Sequence, residues 1–178
     1  EIGRVETVMF DKTGTLTYGR PALTEVITAP GVDRDEILMQ AGALERYSRH
    51  PLAAAIVAAA DRLHRPYDRV ERLTERPGHG LTGLVGHRKV RVTNRSQLLR
   101  TAPASARLLP DLAAGLECVV LVDDTYAATF RVRDEPRPGA GPFVSHLPGR
   151  HGITTTMLIS GDRESEVRYL ADRVGIDV

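Results

Sequence analysis

Residues 5–17 have the sequence VETVMFDKTGTLT, in which a short apolar run ends at an acidic residue. The β-branched and apolar residues Val5–Phe10 predict a buried strand, and the polar, glycine-containing segment that follows predicts a loop. The same order returns near the other end, where a predicted strand over Thr154–Ile159 precedes a polar Ser160-Gly161-Asp162 turn and an amphipathic helix over Glu164–Val174. This repeated order indicates a parallel α/β sheet, and such sheets bind ligands beyond the carboxyl ends of their strands.

The middle of the chain has a different pattern. Helices are predicted over Asp33–Leu44 and Pro51–Leu63, glycine-broken strands lie between Val70 and Val92, and a further strand covers Cys118–Val122. Additional short helices are predicted over Ser96–Arg100, Ala104–Leu109 and Pro142–Leu147. This mixture predicts an α+β domain inserted into the parallel-sheet domain. The predicted segments are 1–20 and 130–178 for the core and 21–129 for the insert.

The composition restricts the class of protein. The chain has 178 residues, 42% of them hydrophobic, and a formal net charge of +1, which gives no general basic character for nucleic acid. Its longest apolar run, Leu52–Ala60, is far shorter than the roughly 20 residues that cross a bilayer. The single cysteine, Cys118, excludes an internal disulfide and a cysteine-cluster zinc site. We expect a piece of a longer protein, without a signal peptide.

Asp11 is the candidate nucleophile. A carboxylate at the tip of a strand can attack phosphorus and form an aspartyl phosphate. Backbone N–H groups of the loop around Gly14 can bind the phosphoryl oxygens, and the hydroxyl of Ser160 can bind another. Because the phosphoryl group and a nucleotide are strongly anionic, this chemistry requires Mg²⁺.

The segment from Asp11 to Thr17, DKTGTLT, resembles the phosphorylation signature of P-type ATPases, the ion pumps of the haloacid dehalogenase-like superfamily. The Ser160-Gly161-Asp162 segment is similar to the family's Thr-Gly-Asp. The resemblance implies that ATP phosphorylates Asp11, and that Asp11 and the carbonyl of Thr13 hold Mg²⁺. The catalytic residues it implies are Asp11, Lys12, Thr13, Thr15, Ser160, Gly161 and Asp162.

Position 13 separates two classes of this superfamily. Phosphatases carry a second Asp two residues after the nucleophile, as the acid and base of hydrolysis, whereas this chain has Thr13. An aspartyl phosphate without a nearby general base persists, which a pump cycle requires and a phosphatase avoids. A soluble haloacid dehalogenase-like phosphatase remains the alternative enzyme.

The insert resembles the nucleotide-binding domain of the heavy-metal-transporting P-type ATPases. The His-Pro dipeptide at His50 is similar to the subgroup's His-Pro motif, Glu45 to its nucleotide-binding Glu, and Gly78-His79-Gly80 to its Gly-x-Gly loop. Asn94 is similar to the Asn of its Gly-Asn motif, although Thr93 stands where Gly is usual. Imidazole can stack on adenine, and a carboxylate can accept from its exocyclic amine.

The segment from Asp134 to Pro138, DEPRP, is similar to the family's Asp-x-x-Arg-Pro segment, where the chain returns from the insert to the core. The resemblance implies a hinge and a nucleotide contact there. The ATP contacts implied for the whole chain are Glu45, His50, Gly78, Gly80, Asn94, Asp134 and Arg137.

The implied fold is a Rossmann-like, haloacid dehalogenase-type core of parallel strands with an inserted α+β nucleotide-binding domain. We expect the core to be incomplete, because the chain has no Gly-Asp-Gly-x-Asn-Asp segment, which in the family supplies an Mg²⁺-coordinating Asp. The implied function is the ATP-binding and phosphorylation fragment of an ATP-driven heavy-metal cation pump.

Several further expectations come from the same resemblance. The fragment itself is expected to be soluble and to belong to the cytoplasmic side of an integral membrane protein. Its expected partners are ATP and the rest of the pump, namely the actuator domain and membrane helices. The transported ion is not expected to bind this chain, and no nucleic-acid partner is expected. For the isolated chain, an ATP-binding module without turnover remains an alternative.

Overall fold

The computed structural model describes residues 5–113, 115–161 and 164–176. Two compact units are formed: the core unit, in which the chain up to Pro21 joins the chain from Asp134 onward, and the insert unit, Ala22–Arg133. Along the chain the elements are β1 (Thr7–Asp11), β2 (Ala22–Thr28), α1 (Arg34–Glu45), α2 (Pro51–Asp61), β3 (Val70–Arg76), β4 (Gly80–Val85), β5 (Arg88–Thr93), α3 (Arg95–Thr101), β6 (Leu116–Val122), β7 (Thr125–Arg133), α4 (Ala140–His151), β8 (Thr155–Ile159) and α5 (Glu164–Val174).

The core unit is built on the parallel pair of strands β1 and β8, with Asp11 opposite Ile159 at their carboxyl ends. Phe10 of β1, Val144 of α4 and Leu170 of α5 are buried in one apolar cluster. The two helices therefore pack on the face of the sheet that carries Phe10. Both strands were predicted from their short apolar runs, and their parallel pairing agrees with the predicted sheet type.

The prediction of a fully buried first strand was wrong. Phe10 is buried, but the side chain of Met9 is 63% exposed, and Met157 and Ile159 on the same face of the pair are exposed too. Successive side chains of a strand point to opposite faces, and the described helices of this unit cover one face only. The apolar residues of the other face are consequently left in contact with solvent.

The insert unit is a six-stranded antiparallel sheet in the order β2-β7-β6-β5-β4-β3. Helices α1 and α2 cover one face, where Leu44 and Ile56 pack with Val120 and Phe130. On the opposite face, Leu98 of α3 belongs to a smaller apolar cluster. The outermost residues of β2 and β7, Ala22 and Arg133, are paired, so the chain enters and leaves this unit at neighbouring positions.

Local sequence explains where the elements begin. Asp33 caps α1, because its Oδ1 accepts a hydrogen bond of 2.7 Å from the backbone N–H of Glu36. Pro51 begins α2, where its missing N–H would be unpaired in any case. Asp123 and Asp124 adopt left-handed conformations, with φ of 49° and 62°, and form the tight hairpin turn between β6 and β7.

Three boundaries differ from the predicted ones. Strand β7 continues to Arg133, so the insert unit ends there and not at residue 129, and it begins after Pro21 rather than after Arg20. The predicted helix over Ala104–Leu109 is a short 3-10 helix, Pro103–Leu108. Within the described ranges, no helix combines the length and the apolar character needed to cross a membrane.

Candidate functional site

Asp11 is the last residue of β1, and its side chain is exposed. It lies opposite Ile159 in the parallel pair, and Ser160 follows Ile159 directly in the chain. Because neighbouring strands are about 4.8 Å apart, Asp11 and the Ser160-Gly161 turn share one edge of the sheet. Asp162, the last residue of the predicted catalytic set, lies outside the described residues.

The loop after Asp11 closes on itself through Thr17. The backbone N–H of Thr17 donates to the carbonyl of Lys12 over 3.1 Å, which brings the two ends of the loop together. Between them, Thr13 is extended and Gly14 has φ of +81°, a left-handed conformation that favours glycine. Thr13 and Thr15 are exposed on this loop, whereas the side chain of Lys12 is buried.

Asp134 holds this loop from the returning chain. Its Oδ2 is 2.6 Å from the hydroxyl of the fully buried Thr17, and its Oδ1 accepts from the backbone N–H of Arg20 over 3.2 Å. The Thr17 hydroxyl has a single proton, and the short distance to a carboxylate favours donation to Asp134. Asp134 therefore fixes the position of the loop's end.

Arg137 contacts the same loop at several points. Its guanidinium donates to the carbonyls of Gly14 (2.8 Å) and Thr17 (3.1 Å), and its backbone N–H donates to the carbonyl of Leu16 (2.8 Å). The guanidinium also lies over the ring of Tyr18, 4.9 Å from its centre. The sequence predicted a hinge and a nucleotide contact for the segment of Asp134 and Arg137. Their contacts with the loop were not predicted, because nothing in the local pattern reveals contacts between residues so far apart in sequence.

The insert unit contains a cavity of about 540 Å³. It lies where the segment linking α1 to α2 faces the hairpin of β3 and β4 and the end of β5. All the residues of this unit that were predicted to contact a nucleotide line the cavity: Glu45, His50, Gly78, Gly80 and Asn94. The structure thus brings together side chains that are far apart in sequence.

His50 begins α2. Its Nδ1 accepts a hydrogen bond of 3.2 Å from the backbone N–H of Leu52, so the neutral ring carries its proton on Nε2. The Ser48 hydroxyl accepts from the backbone N–H of His50 over 3.1 Å and lies 3.4 Å from a carboxylate oxygen of Glu75. These contacts hold the imidazole at the wall of the cavity.

Glu45 is the buried acid of the cavity. Only 6% of its surface is exposed, and its Oε2 has no hydrogen-bond partner among the residues described. The pKa of the Glu45 carboxyl is raised to about 7, mainly by burial; the hydrogen bond from Ser48 lowers it and the nearby charge of Glu75 raises it. An unpaired carboxylate oxygen at a cavity wall can accept a hydrogen bond from a ligand.

The Gly78-His79-Gly80 loop approaches the backbone of β5 closely. Gly80 has φ of +87°, and a Cβ there would lie 2.1 Å from the carbonyl oxygen of Val92, so a side chain cannot fit without movement. The Thr93 hydroxyl donates to the carbonyl of His79 over 2.9 Å. Thr93, where a glycine was the usual residue, therefore ties β5 to the loop.

Asn94 has a structural role at the same place. Its Oδ1 accepts from the backbone N–H of Gln97 over 2.8 Å and caps α3. The cavity wall also contains residues that were not predicted for the site, among them Ser48, Glu75, Thr93, Glu117 and Cys118. Alternation along β6 is the signal that could have placed Cys118 on the face of the sheet that α1 and α2 cover, next to the site.

The charges of this cavity select its ligand chemistry. Glu45, Glu75 and Glu117 are the acidic residues of its wall, and Arg76 is the arginine there. Arg95 neutralises Glu117 through an ion pair of 2.5 Å. Such a wall suits a neutral group with hydrogen-bond donors, such as a nucleobase, better than a triphosphate.

The loop around Asp11 offers hard oxygen ligands. The Asp11 carboxylate is exposed, and the carbonyl of Thr13 lies in the same loop. Among the described residues, no group of His, Cys, Asp and Glu side chains is gathered to hold a metal ion by itself. Mg²⁺ is commonly held by one or two protein oxygens together with substrate phosphates, and Asp11 and Thr13 fit this pattern.

Known proteins resemble the chain over nearly its full length. A family model for haloacid dehalogenase-like hydrolases matches residues 5–178. The chain is 34% identical over 177 residues to the probable copper-transporting ATPase SynA of Synechococcus. This match covers 99% of the chain and 22% of that protein. It is 37% identical over 181 residues to the copper-exporting P-type ATPase of Mycobacterium tuberculosis, covering 97% of this chain and 22% of that protein. The chain spans about a fifth of the length of these curated relatives.

A solved structure of a P-type ATPase is also similar to this chain. The crystal structure of a zinc-transporting PIB-type ATPase in its E2.Pi state matches with a TM-score of 0.85 and 32% sequence identity. The match covers 99% of this chain and 29% of that one.

Proposed function

Because this chain belongs to the haloacid dehalogenase-like hydrolase family, we propose that it is the ATP-binding and phosphorylation part of a heavy-metal-transporting P-type ATPase, an ATP-driven cation pump. The observation that carries the proposal is the cavity of the insert unit. Residues predicted for nucleotide from separate motifs, among them Glu45, His50 and Gly80, line this one space of about 540 Å³. Chance proximity of such motifs is a poor explanation of that arrangement.

The adenine ring occupies this cavity in our proposal. The Glu45 carboxylate accepts from the exocyclic amine, and the imidazole of His50 stacks on the ring. The close approach of Gly80 to the backbone of β5 fixes the glycine loop at the cavity wall, where its backbone contacts the nucleotide. Since acidic side chains line the wall, the triphosphate extends away from Glu45 and Glu75 rather than toward them.

Phosphoryl transfer takes place at the loop around Asp11. A carboxylate oxygen of Asp11 attacks the terminal phosphorus of ATP, the bond to the bridging oxygen breaks, and ADP leaves with the electron pair. The product is an aspartyl phosphate. Because residue 13 is Thr and not Asp, no neighbouring carboxyl at that position assists its hydrolysis, and the intermediate persists.

The remaining catalytic residues keep their predicted roles. Lys12, Thr13, Thr15 and Ser160 bind the phosphoryl oxygens, and Gly161 and Asp162 remain members of the proposed catalytic set. The Asp11 carboxylate and the Thr13 carbonyl would hold Mg²⁺, which would neutralise part of the phosphoryl charge. Asp134 and Arg137 hold the loop in shape, and their predicted nucleotide contact is retained as part of the proposal.

The larger protein is proposed on the same grounds. The chain would work on the cytoplasmic side of a membrane, together with an actuator domain and membrane helices of the same pump. The transported ion is not assigned beyond a heavy-metal cation, because the similar proteins include copper transporters and a zinc transporter.

Incubation with γ-labelled ATP and Mg²⁺ tests the proposed chemistry. We expect the 178-residue chain to bind ATP and to be labelled weakly. The label should be released by hydroxylamine, as an acyl phosphate is, and should be absent from the Asp11→Asn variant. A label that resists hydroxylamine or survives Asp11→Asn would refute the assignment of the nucleophile. Binding without any label would favour the module without turnover, and rapid release of phosphate would favour a phosphatase.

Adenosine titration tests the cavity separately. His50→Gln should weaken adenosine binding, because an amide stacks on adenine less well than an imidazole. His87→Gln is the matched control, since His87 is exposed in the turn between β4 and β5 and does not line the cavity. Equal affinities of the wild-type and His50→Gln proteins would remove the adenine site from this cavity.

A further inference from the structure

A second cavity, of about 390 Å³, lies on the other side of the strands that wall the first. Thr82 of β4 and Arg91 of β5 are paired across the sheet and line it. Their neighbours Leu81 and Val92 are paired in the next row and are buried in the cluster beneath α1 and α2. Because side chains alternate along strands, Thr82 and Arg91 belong to the opposite face from that cluster.

The second cavity is polar and basic. Arg76 and Arg91 line it with the hydroxyls of Thr74, Thr82 and Thr101, and no acidic side chain is part of its described wall. This composition contrasts with the first cavity, whose wall carries glutamates. A cavity with this lining favours an anion.

The positive charge of the second cavity is not neutralised by the protein. Arg91 contacts Asp124 at 3.3 Å, but both carboxylate oxygens of Asp124 also bind Lys89, at 2.7 and 2.9 Å. The single negative charge of Asp124 is therefore shared between Lys89 and Arg91. In the part of the chain that is described, Arg76 has no ion pair, and its charge adds to the excess.

Gln97 fixes the orientation of a further donor. The guanidinium of Arg100 donates to Oε1 of the buried Gln97, so the amide nitrogen of Gln97 faces Nδ1 of His79 over 2.9 Å. The neutral imidazole of His79 then carries its proton on Nε2 and can donate it. His79 belongs to the glycine loop and lines the second cavity.

We propose that this cavity binds a small phosphate-type oxyanion through the guanidinium groups of Arg76 and Arg91 and the hydroxyl of Thr82. Guanidinium groups match tetrahedral oxyanions because their N–H groups diverge in a planar fork. The wall of the adenine site lies across the sheet and shares Arg76 and Gly80 with this cavity, but not Arg91 or Thr82, so Arg91 tests the proposal separately from the adenine site.

Titration of the isotope-labelled 178-residue chain with pyrophosphate, followed by NMR, tests the proposal. The backbone signals of Thr82, Arg91 and Thr101 should shift and saturate, whereas sodium chloride of equal ionic strength should not reproduce this. Arg91→Gln should weaken pyrophosphate binding about tenfold, the usual effect of losing one charge-assisted contact. Arg88→Gln is the matched control, because Arg88 lies on the same strand and pairs with Asp123, outside this cavity.

Arg76→Gln provides a second variant that does not disturb the ion pair of Asp124, and it should weaken binding to a similar extent. Shifts that fail to saturate, that chloride reproduces, or that are confined to the loop from Asp11 to Thr17 would overturn the proposal. So would an unchanged affinity in a folded Arg91→Gln protein. Adenosine binding is measured in the same samples, so a failure of the adenine site is seen separately.

Discussion

Replacement of Glu45 by Gln should remove the loss of stability that the ionisation of Glu45 causes in the insert unit as the pH rises through about 7. Glu45 is 6% exposed, and burial raises the pKa of its carboxyl from 4.5 to about 7. The Gln side chain has nearly the same shape and no charge. The substitution therefore removes the ionisation and keeps the packing.

The sign of the effect follows from proton binding. Between about pH 4.5 and pH 7 the folded protein holds a proton on Glu45 that the unfolded chain has released. The stability that this proton contributes is fully present below pH 4.5 and is lost as the pH rises through 7. The shift corresponds to about 3 kcal/mol of the free energy of unfolding.

At high pH, the free energy of unfolding of the Glu45→Gln protein should exceed that of the wild-type protein by most of this amount. At pH 8 we expect Glu45→Gln to be about 2 kcal/mol more stable than the wild-type protein, since an unpaired amide N–H costs about 1 kcal/mol of the gain. At pH 4 the two proteins should differ little or in the opposite sense. Glu75→Gln should lower the pKa of Glu45 in part, because it removes a nearby like charge.

Urea unfolding from about pH 4 to pH 9 measures the effect. The native NMR signals of Val90 and Val120, which lie in the core of the insert unit, report the unfolding of that unit. The difference in the free energy of unfolding between wild-type and Glu45→Gln proteins cancels the contributions of all other titrating groups. Glu135→Gln, an exposed substitution in the core unit, is the control.

A difference that is constant across the pH range would refute the reasoning, because it would mean that Glu45 titrates alike in the folded and unfolded chain. A carboxyl pKa near 4.5 in a direct ¹³C NMR titration of the folded protein would refute it independently.

Three further substitutions test the geometry. Gly80→Ala should weaken adenosine binding strongly, because the new Cβ would lie 2.1 Å from a carbonyl oxygen of β5. Gly78→Ala has open space around its Cβ and should cost only about 1 kcal/mol of backbone strain. Equal adenosine affinities of the two variants would contradict this prediction. Asp134→Asn should lower the stability of the core unit by about 1–2 kcal/mol in thermal unfolding, since the 2.6 Å bond from Thr17 loses its charged acceptor, and an unchanged melting temperature would count against that bond. Phe130→Ala should cost about 3–5 kcal/mol, because the ring is fully buried, and a loss below 1 kcal/mol in urea unfolding would mean that the sheet core is loosely packed.

The sequence was sufficient for the fold class and for the family. Short β-branched runs such as 154–159 predict strands well, and the helix after Asp33 has both a cap and a regular apolar face. The resemblance of the chain to P-type ATPases is confirmed by the similar copper-transporting ATPases and by the similar zinc-transporting ATPase. Local patterns of this kind need no knowledge of the rest of the chain.

Burial and long-range contacts were beyond the reach of the sequence. The exposure of Met9 depends on how many layers cover the sheet, which the strand itself does not encode. The contacts from Arg137 to the carbonyls of Gly14 and Thr17 join backbone atoms, which carry no sequence pattern. The raised pKa of Glu45 likewise results from the packing around it. The roles of the individual site residues stay predictions until they are tested.

The pairing of Ala22 with Arg133 places the two ends of the insert unit next to each other. The Cα atoms of residues paired in an antiparallel ladder are only about 5 Å apart. Excision at these two points would leave ends that a linker of a few residues could join without strain, and the resulting closed ring could be reopened at any exposed turn. The unit is therefore suited to circular permutation, with new termini placed in the turn at Gly86 and His87.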